Sequence, residues 1–320
     1  MAAMTKARTW TVLELINWSK AYLEEKGFEN ARLEVELLLA YTLEMPRIEL
    51  YLKFDRQMSE KELASFKARF KRRLAGEPVQ YVTGTAGFML GEFEVNPSVL
   101  IPRPETEALT EVVLRMLGAA GGPGADDVPG TETPEGQEGP EQSAGRKPLV
   151  ADVGTGSGVI AATVAARVPG ARVYATDVSP EALKVAARNV ERAGAADRVV
   201  FLEGEMLQPL LGEGLAGKLT AVVSNPPYIP SGELADLQAE VRDFEPREAL
   251  DGGEDGLECL RVLVQDGPGL LASGGFIALE VGDGQAPEVA RLLKDRLGNA
   301  DVHKDYAGRD RIVTGFLRET

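Results

Sequence analysis

Cysteine and histidine are almost missing from this 320-residue sequence, each occurring once, at Cys259 and His303. One cysteine closes no intrachain disulfide, and one cysteine with one histidine assembles no Cys/His metal cluster. A cytoplasmic chain without structural zinc is expected, with Cys259 a small buried filler and His303 an ordinary strand residue. No apolar run approaches the roughly 20 residues that span a bilayer. Polar residues interrupt any signal core in the opening MAAMTKARTWTVLELINW, so neither export nor membrane insertion is expected. Positive charge is in the minority. The 35 Lys and Arg against 50 Asp and Glu give a formal charge of −15, which repels a phosphate backbone unless the basic residues are segregated on one face. What is plentiful is apolar side chain, 44% of the residues, enough to bury the core of one large domain and one small one.

Between Thr9 and about Leu74 apolar residues recur at helical spacing, first Val12, Leu13, Leu15 and Ile16, then Leu33, Val35, Leu37, Leu38 and Leu39. A small helical domain over residues 1–75 is predicted. Its last helix closes with KARFKRRLAGEP, where Gly76 and Pro78 are stop signals and Lys67, Arg69, Lys71, Arg72 and Arg73 crowd together. That cluster is either a solvated helix face suited to the C-terminal dipole or a docking surface for an acidic or RNA-bound partner. Residues 76–99 contain GTAGFMLGEFEVNP, with Gly91 between two alternating runs, and predict a β-hairpin linker. A larger domain over 100–320 follows. Pro104 and Glu105 open a helix whose apolar face carries Leu109, Val112, Val113 and Leu117. Residues 118–147 are rich in Gly, Pro, Glu and Asp with almost no large apolar side chain, which predicts a disordered acidic insertion within that domain.

From Pro148 onward strand and helix patterns alternate: LVADV, a helix over 159–167, RVYATD, a helix over 180–193, RVVFLEG, LTAVVSN, a helix around 257–271, GFIALEVG and a helix over 286–297. Such alternation predicts an α/β fold with a doubly wound sheet covered on both faces. The last strands, ADVHKDY and RIVTGFLR, are joined by AGRD and should pair antiparallel.

Two constellations carry chemistry. The first strand runs into Gly154, Gly156 and Gly158, where glycine lets backbone turn tightly and approach a ligand. Asp177 closes the next strand at the separation expected of an acid that accepts ribose hydroxyls. This much says nucleotide-like ligand; the G-x-G-x-G spacing lacks the third position of the dinucleotide fingerprint and favours a methyl donor. The second constellation is Asn225-Pro226-Pro227-Tyr228, after the strand LTAVVS. Two prolines stiffen the chain and remove two N–H donors, leaving carbonyls as acceptors. An amide nitrogen is a poor nucleophile because its lone pair is delocalised. Accepting its two hydrogens on the Asn225 side-chain oxygen and the Pro226 carbonyl would orient it for methyl transfer. The Tyr228 ring would pack against the target group, near the sulfonium charge.

The stretch from Thr83 to the C-terminus resembles the HemK/PrmC protein-(glutamine-N5) methyltransferases. The resemblance rests on LIPRPETE (Leu100 to Glu107), DVGTGSG (Asp152 to Gly158), Asp177, SNPPYIP (Ser224 to Pro230), EPREALDGGEDGLE (Glu245 to Glu258) and LEVG (Leu279 to Gly282). It implies a class I, Rossmann-like methyltransferase domain with an antiparallel C-terminal strand, plus a small N-terminal helical domain that docks release factors. The implied reaction is methylation, from S-adenosylmethionine, of the glutamine in the Gly-Gly-Gln motif of peptide chain release factors. Implied cofactor residues are Gly154, Thr155, Gly156, Ser157 and Gly158 at the methionine moiety, Asp177 at the ribose, Glu205 and Met206 at the adenine, and Asn225. Glu205 and Met206 depart from the family's usual Asp and aromatic. Implied substrate residues are Asn225, Pro226, Pro227 and Tyr228, with Phe88 and Arg103 near the site and a structural ion pair between Arg103 and Glu105. EPREALDGGEDGLE would cover the pocket, and Glu280 would be a buried acid satisfied by backbone donors. The competing reading is an N6-adenine or N4-cytosine nucleic-acid methyltransferase, since an exocyclic amine poses the same geometric problem. The negative charge and the lack of a basic target-recognition domain argue against it. No direct nucleic-acid contact, no membrane and no metal are expected, and a monomer suffices.

Overall fold

The computed structural model describes residues 9–119 and 147–318. Nearly all of the acidic segment predicted over 118–147 lies outside them.

The described residues divide into two compact units, Met1–Gly84 with Ala239–Phe244, and Thr85–Gln238 with Glu245–Thr320. The first unit is helical: α1 (Val12–Glu25), α2 (Ala31–Leu43), α3 (Arg47–Leu52), α4 (Glu60–Leu74) and α5 (Val79–Thr83). Capping boxes start α1, through Thr11 and Glu14, and α4, through Ser59 and Glu62. Val12, Leu15, Ile16, Val35, Leu38 and Leu39 enter its core, whereas Leu13 and Leu33 face outward. The basic cluster of α4 is no uniform solvated face. Arg73 is buried, lies over the Phe28 ring at 4.3 Å, and pairs with Glu34 at 2.8 Å and with Glu240 at 2.9 Å. Arg72 is paired with Glu77, and Arg69 lies over Tyr41.

The second unit begins with the hairpin β1 (Thr85–Phe88) and β2 (Gly91–Glu94), then α6 (Pro104–Met116). The boundary thus falls inside the 76–99 stretch expected as a linker. α5 goes to the first unit, and the hairpin goes to the second because Phe88 and Phe93 on one face join its core edge-on, 6.0 Å apart. After it run β3 (Leu149–Val153), α7 (Val159–Arg167), β4 (Arg172–Asp177), α8 (Pro180–Arg192), β5 (Val199–Glu203), α9 (Gln208–Gly212) and β6 (Leu219–Ser224). Then come α10 (Ala239–Phe244, part of the first unit), α11 (Glu258–Asp266), β7 (Leu271–Glu280), α12 (Ala286–Leu297), β8 (Asp301–Lys304) and β9 (Asp310–Phe316).

β1 and β2 pair with each other, and β3 to β9 form one seven-stranded sheet in the order β5-β4-β3-β6-β7-β9-β8. The first five are parallel, β9 is antiparallel to β7, and β8 is antiparallel to β9. Alternating residues feed two apolar layers: Val150, Ala221, Val223, Phe276 and Ala278 one, Ala151, Val222, Ile277 and Leu279 the other. Burying each large apolar side chain contributes about 1.5–3 kcal/mol, so both faces of the sheet are strongly specified.

The chain winds outward from β3 through β4 to β5, then returns to β6 on the other side of β3. This reversal opens a crevice at the carboxyl ends of β3 and β6, the place where such sheets bind ligands.

Candidate active site

Register alone brings the sequence-predicted residues to that crevice. Val153 pairs with Thr176 on one side and Ser224 on the other, so Gly154, Asp177 and Asn225 each lie one residue beyond a paired position. Asp177 in turn pairs with Glu203, which delivers Gly204, Glu205 and Met206, and Ser224 pairs with Leu279, which sets Glu280 beside Asn225. Ser224 Oγ donates to the Val153 carbonyl at 2.7 Å and ties the two central strand ends together.

A cavity of about 1130 Å³ occupies the crevice, lined by Gly154, Thr155, Gly156, Ser157, Asp177, Glu205, Met206, Asn225 and Pro227 among others. It is also lined by residues 97–100 before α6, by Pro246, Glu248, Ala249, Asp251, Gly253 and Glu254 of the predicted covering segment, and by Cys259, which is half-buried at the start of α11 rather than filling the core. Gly154 and Gly156 adopt φ of +70° and +54°, and a Cβ at either would meet nothing within 4 Å. Main chain is therefore bared to the cavity. Gly158 does not line it; its glycine is needed for packing, because a Cβ there would stand 2.8 Å from Ala186 Cβ and 2.9 Å from Ala186 Cα.

The turn is braced by acids. Asp177 accepts from Gly156 N and Ser179 N, each at 2.9 Å, and burial raises its carboxyl above the usual range. Asp152, which the sequence reading did not single out, accepts from Thr155 Oγ1 at 2.6 Å and Ala161 N at 3.0 Å. Its Oδ1 is buried with no hydrogen-bond partner among the described residues, and desolvation pushes its carboxyl up to about 6. Asn189 fastens the hairpin to the turn: its Nδ2 donates to Ser157 O at 2.8 Å and to Glu94 O at 2.9 Å.

On the other wall, Pro226 is buried and Tyr228 is partly buried against the second apolar layer, so neither lines the cavity itself. The covering segment packs on this loop as expected. Gly252 N donates to Ile229 O at 2.8 Å, Ile229 N to Leu250 O at 3.0 Å, and Gln285 Nε2 to Tyr228 O at 2.9 Å. Gly256 is required by closeness, since a Cβ there would lie 2.4 Å from Tyr228 O. Asn225 Nδ2 donates to Thr106 Oγ1 at 2.9 Å, Thr106 Oγ1 to Glu280 Oε2 at 2.8 Å, and Tyr228 Oη to Glu280 Oε1 at 3.3 Å. Glu280 is thus satisfied by side chains, not by the expected backbone donors. Desolvation pushes its carboxyl up to about 7, and burial raises the Tyr228 phenol.

Three expectations are corrected. Arg103 pairs with Glu245, and Glu105 with Arg309 at 2.7 Å; the two do not pair with each other, Arg103 being the extended residue before α6 and Glu105 lying in its first turn, each claimed by a distant partner. Glu245 also accepts from Ile101 N at 3.2 Å, so Arg103 orders the cavity rim from behind and does not line it. Phe88 is buried in the first apolar layer and off the cavity wall, because strand alternation turns its ring to the core. His303 lies in β8 as expected, hydrogen-bonded to Thr314 at 2.9 Å, with burial lowering its pKa.

No group of three or more metal-ligating side chains, and no helix long and apolar enough to cross a membrane, occurs among the described residues.

A doubly wound sheet with a G-x-G-x-G turn and an Asn-Pro-Pro-Tyr loop on adjacent strand ends defines a Rossmann-like methyltransferase. Family comparison agrees: residues 14–84 match the PrmC N-terminal domain and residues 141–241 the methyltransferase small domain. The chain is 40% identical to the release factor glutamine methyltransferase of Geobacter sulfurreducens, over 98% of this chain and 99% of that one. It is 42% identical to that of Moorella thermoacetica over 92% of this chain and 94% of that one. A methyltransferase structure from Pyrococcus furiosus is more distant, 18% identical with a TM-score of 0.46, covering 79% of this chain and 98% of that one. This chain belongs to the release factor glutamine methyltransferase family.

Proposed function

We propose that this chain transfers a methyl group from S-adenosylmethionine to the side-chain amide nitrogen, N5, of the glutamine in the Gly-Gly-Gln motif of class 1 peptide chain release factors. The observation that carries this reading is the pairing of Val153 with Ser224, which makes the glycine turn and the Asn-Pro-Pro-Tyr loop neighbours on one cavity.

The glycine wall suits the donor. Bare main chain at Gly154 and Gly156 leaves room where side chains would stand, and the Asp177 carboxylate keeps lone pairs beyond the two N–H groups it accepts. Gly154, Thr155, Gly156 and Ser157 would hold the methionine part, Asp177 the ribose hydroxyls, and Glu205 and Met206 the adenine. Gly158 sets the helix behind them. When bound, S-adenosylmethionine supplies a methyl group activated by a positively charged sulfur and leaves as S-adenosylhomocysteine. This chain's residues orient the acceptor. Asn225 Oδ1 and the Pro226 carbonyl accept hydrogen bonds from the two N–H groups of the glutamine amide, which turns its nitrogen toward the donor and offsets the positive charge that develops there until one of those hydrogens leaves as a proton to solvent. Pro227 lines the cavity beside Asn225, and the Tyr228 ring, packed behind it against the second apolar layer and backed by the covering segment, supports the loop. Residues 1–75 grip the release factor away from the reacting loop. The chain acts as a monomer in the cytoplasm, with no membrane and no direct nucleic-acid contact, in keeping with its charge of −15.

Mass spectrometry of a purified release factor incubated with this chain and the donor tests the reading. The expected product carries one added methyl on the motif glutamine. An unmodified release factor, with methyl found instead in DNA or RNA, would replace it with the exocyclic-amine alternative.

A further inference from the structure

The role given to Asn225 depends on which end of its side-chain amide faces the cavity. Its oxygen can accept a hydrogen from a substrate amide, whereas its NH₂ would set donor against donor. The two ends are nearly equal in size, so shape alone does not choose between them.

The buried groups behind Asn225 do choose. Asn225 Nδ2 donates to Thr106 Oγ1 at 2.9 Å, and Thr106 Oγ1 donates to Glu280 Oε2 at 2.8 Å. Thr106 is 3% exposed and Glu280 0%, so water does not substitute for either contact. A threonine hydroxyl carries one hydrogen, and an ionised carboxylate only accepts. With Glu280 ionised, that hydrogen points at Glu280 and the hydroxyl lone pair faces Asn225. Asn225 must then turn its NH₂ inward and its Oδ1 toward the cavity it lines, where no donor among the described residues engages Oδ1. A protonated Glu280 permits the reverse order, Glu280 donating to Thr106 and Thr106 to Asn225 Oδ1, with NH₂ facing the substrate.

We propose that Thr106 and Glu280 are positioning residues that set the facing of the Asn225 amide, and that ionised Glu280 holds the productive orientation. This rests on the reading of Asn225 as an acceptor for the substrate amide.

Three elements surround the Glu280 carboxyl with groups that matter to its charge. Thr106 and Glu105 come from α6, Tyr228 from the loop and Arg311 from β9. Glu105 opposes ionisation but is held by Arg309 at 2.7 Å. Arg311 favours it, yet its side chain is shared with Asp305 at 3.8 Å and the Val281 carbonyl at 3.1 Å. Desolvation outweighs the rest and pushes the carboxyl up to about 7, which puts the switch within the physiological range.

The test uses the full-length, ¹⁵N-labelled chain without substrate, observing the side-chain NH₂ signals of Asn225, assigned by their loss in Asn225→Asp. They should titrate with a midpoint near 7 and lose that titration in Thr106→Val and in Glu280→Gln, the second variant guarding against misfolding of the first. Flat wild-type signals, or a titration that survives both substitutions, would overturn the proposal. In the methylation assay, kcat should fall roughly 10- to 100-fold in Thr106→Val and recover to within about threefold of wild type in Thr106→Ser, as for other groups that orient a reacting side chain. Equal loss in both variants would point to packing and overturn it as well. Should the wild type leave release factors unmethylated, the proposed function fails, while the NH₂ titration still decides the positioning chain.

Discussion

The two walls of the cavity are built by opposite means. At the glycine turn the groups facing the cavity are largely main chain, braced by acids close in sequence: Asp152 holds Thr155 and Ala161, and Asp177 holds Gly156 and Ser179. At the Asn-Pro-Pro-Tyr loop the deciding groups are side chains gathered from positions 106, 225, 228 and 280. The first wall is a fixed cradle that needs no particular protonation of its main-chain donors. The second is a chain of hydrogen bonds whose direction depends on one proton. A methyltransferase needs both, a cradle for a donor that is always the same and an adjustable grip on an amide that must be turned correctly.

The sharpest way to break this division is Asn225→Ala. It removes one of the two acceptors proposed for the reacting amide and leaves the cradle intact. Turnover should fall about 100- to 1,000-fold, the cost typical of losing one preorganised hydrogen-bonding group at a transition state. Donor affinity, measured by calorimetry, should stay near wild type. A variant with full turnover would end the assignment of Asn225, and one that loses donor affinity instead would show that the walls are not separable.

The same contrast explains what the sequence made legible. The cradle lies within Asp152 to Gly158 plus Asp177, so a local pattern exposes it. The helices over 159–167 and 286–297 and the strands around them follow equally from periodicity. Asn225 stood out because two prolines follow it. Glu280 was expected as a buried acid, but its link through Thr106 was not, since the two meet across 174 residues and nothing in LIPRPETE or LEVG says that one hydroxyl bridges them to Asn225. Arg103 and Glu105 were paired in expectation because they are close in sequence. The fold sends each to a distant partner, Glu245 and Arg309. Arg73 looked like part of a solvated basic face, and only tertiary packing shows it buried between Glu34 and Glu240.

Burying an acid in the second wall carries a stability cost, and Glu280→Gln measures it. A carboxyl whose folded pKa is about 7, raised above an unfolded value of about 4.5, is protonated in the folded state and ionised in the unfolded state between those limits. The unfolded chain then binds fewer protons, so the wild type loses stability as pH rises through that window. The loss is on the order of 3 kcal/mol by pH 8, and Glu280→Gln lacks it. Urea unfolding at pH 5 and pH 8 checks this. The gap between variant and wild type should widen in the variant's favour at the higher pH, and a gap that does not change would remove Glu280 as a titrating buried acid.

On the cradle side, Asp177→Ala should produce the mirror image of Asn225→Ala. It deletes the acceptor proposed for the ribose and frees the Gly156 and Ser179 N–H groups, so donor Kd should rise roughly 10- to 100-fold, the worth of about one charge-assisted hydrogen bond. Turnover at saturating donor should change much less. Fluorescence titration and saturation kinetics separate the two quantities. If kcat falls while Kd holds, the carboxylate belongs to the chemistry and the comparison fails on that wall.

The smallest expected effect is also the most discriminating. Tyr228→Phe keeps the ring that packs behind the loop but removes the hydroxyl that donates to Glu280 Oε1 over a long 3.3 Å contact. Turnover at alkaline pH should fall by less than about threefold, because a weak hydrogen bond contributes only about 0.5–1 kcal/mol. That same hydroxyl favours the ionised carboxylate, so without it the Glu280 pKa climbs further above 7. The acid limb of the pH–rate profile should therefore move to higher pH, with the alkaline plateau nearly unchanged. A wall that acted only by shape would show no such movement, because the ring is the same in both proteins.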